Sequence, residues 1–190
     1  MFKSKAKQPR FLKVLIADEA NRAFLKAKLG GAVDVDLIIV RDYECPNRCG
    51  WAQELVRFGH ARRIPVMVAR DGRLADVVGA DGCHFPEKLM RQSLWWRYQH
   101  RHWYLSASAH TEYAVAQANR LPLDFLLVSP VFRTQSHEGG RPLGFMVLRK
   151  LVQKSRCPVI ALGGISHKNI NSLLNTGVEG AAMIRGVISR

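Results

Sequence analysis

The feature that most constrains this chain is a short apolar run that recurs at intervals of roughly one helix. Phe11–Ala17, Val33–Val40, Val66–Ala69, Gly82–Phe85, Trp103–Ser108, Leu123–Ser129, Val159–Leu162 and Ala181–Ile184 each read as a strand. Continuous apolar runs of this length suit strands buried on both faces, as in a parallel sheet covered by helices. Between them lie segments with helical spacing: Glu19–Leu29, Trp51–Arg62, Arg73–Val78, Glu87–Gln99, Thr111–Asn119, Phe145–Lys154 and Lys168–Thr176. Strict alternation of strand and helix predicts a parallel α/β fold. Eight units favour a closed (β/α)8 TIM barrel, with an open doubly wound sheet as the alternative.

The chain has 190 residues, compact for a barrel that usually takes about 250. The expected organisation is a basic N-terminal tail over 1–10 and a single barrel domain over 11–190. The sequence ends just after the eighth strand, so the last outer helix is expected to be short or missing. A second copy would cover the exposed wall, which predicts a homodimer.

Composition narrows the function classes. Hydrophobic residues make up 47% of the chain, which excludes general disorder. No window approaches the ~20 apolar residues of a membrane span. The first ten residues lack the apolar core of a secretory signal, so the expected location is the cytoplasm. Cys45, Cys49, Cys83 and Cys157 are then read as reduced thiols. Cys45 and Cys49, followed by His60, lack the second ligand pair that a zinc site needs.

Lys and Arg number 29 against 15 Asp and Glu, a net charge of +14. Such a surplus suits nucleic acid, phosphorylated small molecules or mere solubility. Arg91, Arg97, His100, Arg101 and His102 are interleaved with Trp95, Trp96, Tyr98 and Trp103. This pattern fits either base stacking or a helix with its aromatic side in the core. No nucleic-acid motif accompanies the charge, so that partner is disfavoured.

In a barrel the chemistry lies in the loops after the strands. Gly163-Gly164 follow the seventh strand and Arg185-Gly186 the eighth, where such folds often hold phosphate. The loop after the sixth strand, Ser129 to Gly144, is long for its place and carries Arg133, Thr134, Ser136, His137 and Arg141. His110 is a candidate acid–base group. Asp81 reads as a turn or capping residue, and His84 beside it as part of a structural turn.

Ser129-Pro130-Val131-Phe132 through Leu143-Gly144 resembles the strand-six loop of the thiamine phosphate synthase / thiazole tautomerase family. Ala80-Asp81-Gly82-Cys83-His84, Ser108-Ala109-His110-Thr111, Leu162-Gly163-Gly164-Ile165 and Gly177-Val178-Glu179-Gly180-Ala181-Ala182 resemble other motifs of that family, in the same order. The resemblance runs from about Leu12 to the C-terminus and implies a (β/α)8 barrel. It implies an enzyme of thiamine biosynthesis, a transferase that joins a pyrimidine diphosphate to thiazole phosphate and releases pyrophosphate.

The resemblance places phosphate binding at Thr134, Ser136, Gly163 and Gly164, with Arg185 standing where the family has serine. Ser108 matches a serine on the diphosphate and metal side. On strand two the family shows Gln, Arg and Lys at alternate positions, and this chain has Ile39, Arg41 and Tyr43. Ala69-Arg70 replace the Asn-Asp that serves the diphosphate and its Mg2+. The second metal Asp falls near Leu89, with Glu87 close by, and the loop lysine is His137. The resemblance thus implies Mg2+ while leaving its carboxylate ligands unmatched. Arg41, Ser108 and His137 are the catalytic candidates, and Arg70, Ser108 and His137 the diphosphate-side candidates. The tautomerase branch places a histidine where this chain has Pro130. A non-catalytic binding or regulatory barrel is the alternative function, with tautomerase-like isomerisation and nucleic-acid binding behind it.

Overall fold

The computed structural model describes residues 11–28, 33–134 and 141–184. Eight parallel strands close into a barrel in sequence order. They are β1 (Leu12–Ala17), β2 (Leu37–Val40), β3 (Val66–Ala69), β4 (Gly82–Phe85), β5 (Tyr104–Ala109), β6 (Phe125–Val128), β7 (Val159–Leu162) and β8 (Gly180–Met183). Closure is made by β1 against β8, with Leu12 opposite Gly180 and Leu15 opposite Met183. The closed sheet rules out the open doubly wound alternative. Around it lie α1 (Glu19–Lys28), α2 (Arg48–His60), α3 (Gly72–Val77), α4 (Ser93–Gln99), α5 (Glu112–Ala118) and α6 (Gly144–Lys154). Among the described residues no helix is long and apolar enough to cross a membrane.

The strand period of two sorts each run into two layers. Val14, Ile16, Ile39, Met67, Leu127 and Ile160 fill the barrel interior. Their neighbours Leu15, Ile38, Val40, Val68 and Val128 pack outward against Leu55, Val115, Leu148 and Leu151 of the helices. Both layers are buried, which is why the strands read as unbroken apolar runs.

Three expected elements come out differently. Val33–Asp36 precede the β2 ladder, which begins at Leu37. There the Asp36 carboxylate accepts the Lys13 backbone N–H at 2.9 Å. The expected helix Glu87–Gln99 is a 3-10 segment, Glu87–Gln92, that continues into α4. Met90 is buried in the 3-10 segment and Ser93 at the start of α4, three residues apart, a spacing that aligns on a 3-10 turn. The expected helix Lys168–Thr176 reduces to a 3-10 segment at Ile170–Leu173. The Ser172 hydroxyl donates to the Asn169 carbonyl at 2.6 Å and the Thr176 hydroxyl to the Leu173 carbonyl at 2.7 Å. These side chains compete for the carbonyls that an α-helix would use.

The aromatic-basic segment divides its rings. Trp96, His100 and Trp103 stack on one another, with His100 and Trp103 centroids 3.9 Å apart. Trp95 and Tyr98 stay exposed. The basic tail at 1–10 and the stretch after Ile184, where a short or missing last helix is expected, lie outside the described residues.

Candidate active site

A cavity of about 480 Å³ opens where the strands end. Its wall is built by residues at those ends: Ile16 on β1 and Asp18 just after it, Ile39 on β2 with Arg41 and Tyr43 beyond its end, His84 on β4, Ser108 on β5 and Leu162 on β7. Arg41 and Ser108, both expected from the sequence, thus share one chamber. Ile39 lines it from β2, and the run Arg41 to Glu44 just beyond the strand lines it as well.

His84 is the residue that the sequence reading undervalued. It lies within β4, which matches the strand expected over Gly82–Phe85, and its side chain is buried in the barrel. Its Nδ1 lies 2.9 Å from Ser106 Oγ and its Nε2 3.0 Å from Ser108 Oγ. Burial drives its pKa down to about 3, with the charges of Arg41 and His110 adding to the effect. The imidazole is therefore neutral at ordinary pH, donating to one serine and accepting from the other. The signal was present in the sequence. Cys83 and Phe85 are apolar outward positions, so Gly82 and His84 face in. Leu105, Ala107 and Ala109 do the same for Ser106 and Ser108.

His110, just after β5, also lines the cavity. Its Nδ1 lies 2.7 Å from the Ser129 carbonyl, an acceptor only, so the proton sits on Nδ1. Its backbone N–H donates to Glu87 Oε2 at 3.0 Å. Asp81, expected to be structural, accepts the Val66 N–H at 2.7 Å and lies 3.0 Å from His60 Nε2.

The β1–β2 wall is acidic. Asp18 pairs with Arg41 at 2.6 Å and also accepts the Ala20 N–H at 3.0 Å. Asp42, buried, lies 3.3 Å from Arg22 Nε, and desolvation raises its pKa against the pull of that arginine. Glu19 and Glu44 complete the wall, both exposed. Beside it, Arg48 donates to the Ala69 carbonyl at 2.6 Å. The Arg48 and Arg70 guanidinium carbons lie 5.3 and 5.6 Å from the Tyr43 ring centre. Partial desolvation raises the Tyr43 pKa, and Arg41, Arg48 and Arg70 pull it back down.

After β7, Gly163 and Gly164 adopt φ of +101° and +65°. A Cβ on Gly163 would sit 2.7 Å from Pro130 Cα, and one on Gly164 would sit 2.3 Å from the Arg133 carbonyl oxygen. Both positions therefore need glycine, for backbone conformation and for the close approach of the β6 loop. That loop is tied to them: the Val131 and Phe132 N–H groups donate to the Leu162 and Gly163 carbonyls, each at 3.0 Å. Thr134 lies at the edge of the described residues. Ser136, His137, Arg185 and Gly186, expected in the phosphate and diphosphate sites, fall outside them.

The Mg2+ that the resemblance implies does not fit the residues present. Among the described residues no three His, Cys, Asp or Glu side chains converge to hold a metal ion. Ala69 ends β3 and Arg70 follows it, Glu87 is engaged with the His110 N–H, and Asp71 caps α3 at the Leu74 N–H.

The family model described as thiamine monophosphate synthase matches residues 14–187. The chain belongs to this family. A thiamine-phosphate synthase of Herpetosiphon aurantiacus is 28% identical over 176 residues, covering 88% of this chain and 81% of that protein. One from Limosilactobacillus fermentum is 35% identical over 126 residues, covering 66% of this chain and 59% of that protein. A second relative, from Aquifex aeolicus, is likewise matched over 59% of its length, so the chain spans less than two thirds of these two relatives. Among solved structures, thiamine phosphate pyrophosphorylase from Pyrococcus furiosus superposes with a TM-score of 0.74 at 25% identity, covering 91% of this chain and 85% of that one. A 3-hexulose-6-phosphate synthase, at 14% identity and a TM-score of 0.65, shares the fold alone.

Proposed function

We propose that this member of the thiamine monophosphate synthase family binds thiazole phosphate or thiamine phosphate in the barrel mouth. We further propose that it couples thiazole phosphate to a pyrimidine diphosphate with release of pyrophosphate. The observation that carries the reading is the shared chamber. Arg41, His84, Ser108 and His110 line it, and the glycine turn Gly163-Gly164 follows Leu162 on its far side.

The chemistry suits these groups. The thiazole nitrogen attacks the methylene carbon of the pyrimidine diphosphate, the carbon–oxygen bond breaks, and pyrophosphate leaves with the electron pair. Positive charge develops on the heterocycles, where the carboxylates of Asp18, Glu19, Asp42 and Glu44 offset it. The Gly163-Gly164 turn suits the thiazole phosphate, because backbone N–H groups reach an anion there without a Cβ in the way. Ser108, held by His84, is positioned to donate to the departing diphosphate.

The test is formation of thiamine phosphate by purified protein from the two substrates, paired with complementation of a synthase-deficient strain. Calorimetry with thiazole phosphate and thiamine phosphate separates binding from turnover. No binding of either ligand sinks the reading. Binding without turnover selects the second reading, a non-catalytic ligand-binding barrel. The lack of converging metal-ligand side chains among the described residues supports that second reading.

A further inference from the structure

Arg70 combines two unusual features. It follows β3 with φ of +72°, a left-handed conformation that glycine adopts without cost and arginine does not. Its backbone N–H donates to the His84 carbonyl at 2.7 Å, so the conformation is built into the β3–β4 junction. Its side chain makes no ion pair among the described residues, whereas Arg41 is held by Asp18 and Arg48 by Asp71 at 3.7 Å. The Arg70 guanidinium rests instead over Tyr43, a residue of the cavity wall that also carries Arg48. A strained position that keeps a long cationic side chain at a cavity rim points to use of that side chain.

We propose that Arg70, with Arg48 on the same Tyr43 ring, forms a metal-independent site for a diphosphate group at the rim of the barrel cavity. Guanidinium forks match pairs of phosphate oxygens and keep their charge at any working pH. Tyr43 acts as a positioning residue that holds the two forks near the chamber. A diphosphate carries enough negative charge to engage several cations at once, and Arg41, Arg48 and Arg70 all act on Tyr43 at this rim. The proposal rests on the synthase reading only for the source of the diphosphate, and inorganic pyrophosphate tests it directly.

The experiment is calorimetric titration of the full chain with pyrophosphate, in EDTA and in Mg2+, for the wild type, Arg70→Gly and Arg70→Lys. The wild type is expected to bind in EDTA at an affinity within about twofold of that with Mg2+. Arg70→Gly is expected to weaken binding at least about tenfold, the loss of one charge-assisted contact. The same variant should raise the melting temperature, because glycine relieves the backbone, so lost binding is not lost folding. Arg70→Lys should fall between, keeping charge without the planar fork. Binding that requires Mg2+, or equal affinity in Arg70→Gly, overturns the proposal. Thiazole phosphate, titrated in parallel, should bind Arg70→Gly as it binds the wild type. If the wild type binds pyrophosphate and not thiazole phosphate, the synthase reading falls and this site stands. The reverse result overturns this site alone.

Discussion

His84 on β4 and Ser108 on β5 meet inside the barrel, Nε2 to Oγ at 3.0 Å, with the opposite ring nitrogen on Ser106. This places a polar relay where the other strands supply Val, Ile, Leu and Met. A buried polar group is tolerated when its bonds are made, and here both ring nitrogens have partners.

The relay makes stability depend on pH. The His84 pKa falls from the ordinary 6.5 to about 3 on folding, so the unfolded chain takes up its proton first as pH drops. Stability is full above the unfolded pKa. It then declines as pH falls from about 6.5 towards 3, with a slope of up to about 1.4 kcal/mol per pH unit. Denaturant melts from pH 7 to pH 4 should show that slope in the wild type. In His84→Gln, which has no proton to gain, it should be absent. A parallel decline in both proteins would refute the assignment.

Ser108→Ala should separate stability from turnover. It removes one bond to a neutral imidazole, worth about 1 kcal/mol in an unfolding measurement. Under the synthase reading it also removes the donor nearest the departing diphosphate, and kcat should fall by about 10²-fold. The thiazole phosphate KM should stay within about threefold, because that ligand is assigned to the other side of the chamber. An unchanged kcat would remove Ser108 from the chemistry.

Glycine position matters more than glycine count. Gly164→Ala meets the Arg133 carbonyl oxygen at 2.3 Å as well as a positive φ, and should cost roughly 2–4 kcal/mol. It should also weaken thiazole phosphate binding at least about tenfold. Gly79→Ala has a similar φ of +67° but nothing within 4 Å of the added carbon, and should cost only about 1 kcal/mol. Equal melting temperatures for the two variants would refute the steric argument.

The tryptophans of the aromatic-basic segment offer a fourth contrast. Trp96 stacks on His100 and Trp103 and leaves no room for a Cβ on Gly72, its ring lying 2.1 Å from that position. Trp96→Ala should cost roughly 2–4 kcal/mol, and Trp95→Ala, 60% exposed, less than about 0.5 kcal/mol. Chemical denaturation of both variants checks the order.

The strands were legible because burial on two faces leaves a plain apolar run, as Val66–Ala69 and Val159–Leu162 show by matching to the residue. The weak points were segments where side chains bond to their own backbone. Asn169, Ser172 and Thr176 turn a helical pattern into a 3-10 segment, and hydropathy does not register that competition. Within the site, Arg41 and Ser108 are expected from the family resemblance, and both line the cavity. His84 was passed over because its sequence neighbours Asp81-Gly82 outweighed its strand parity. Arg48 carried no signal at all: it sits on α2 and reaches the Tyr43 rim only through the fold.

The pairing of β1 with β8 carries a consequence for biogenesis. The first strand of the barrel has no second neighbour until the last one has been synthesised, since Leu12–Leu15 pair with Gly180–Met183. A barrel that lacks β8 therefore leaves β1 with an open strand edge. Ring closure depends on contacts between the first and last strands of the barrel, which are far apart in sequence. Truncations that remove β8 should act as aggregation-prone intermediates rather than as smaller stable barrels.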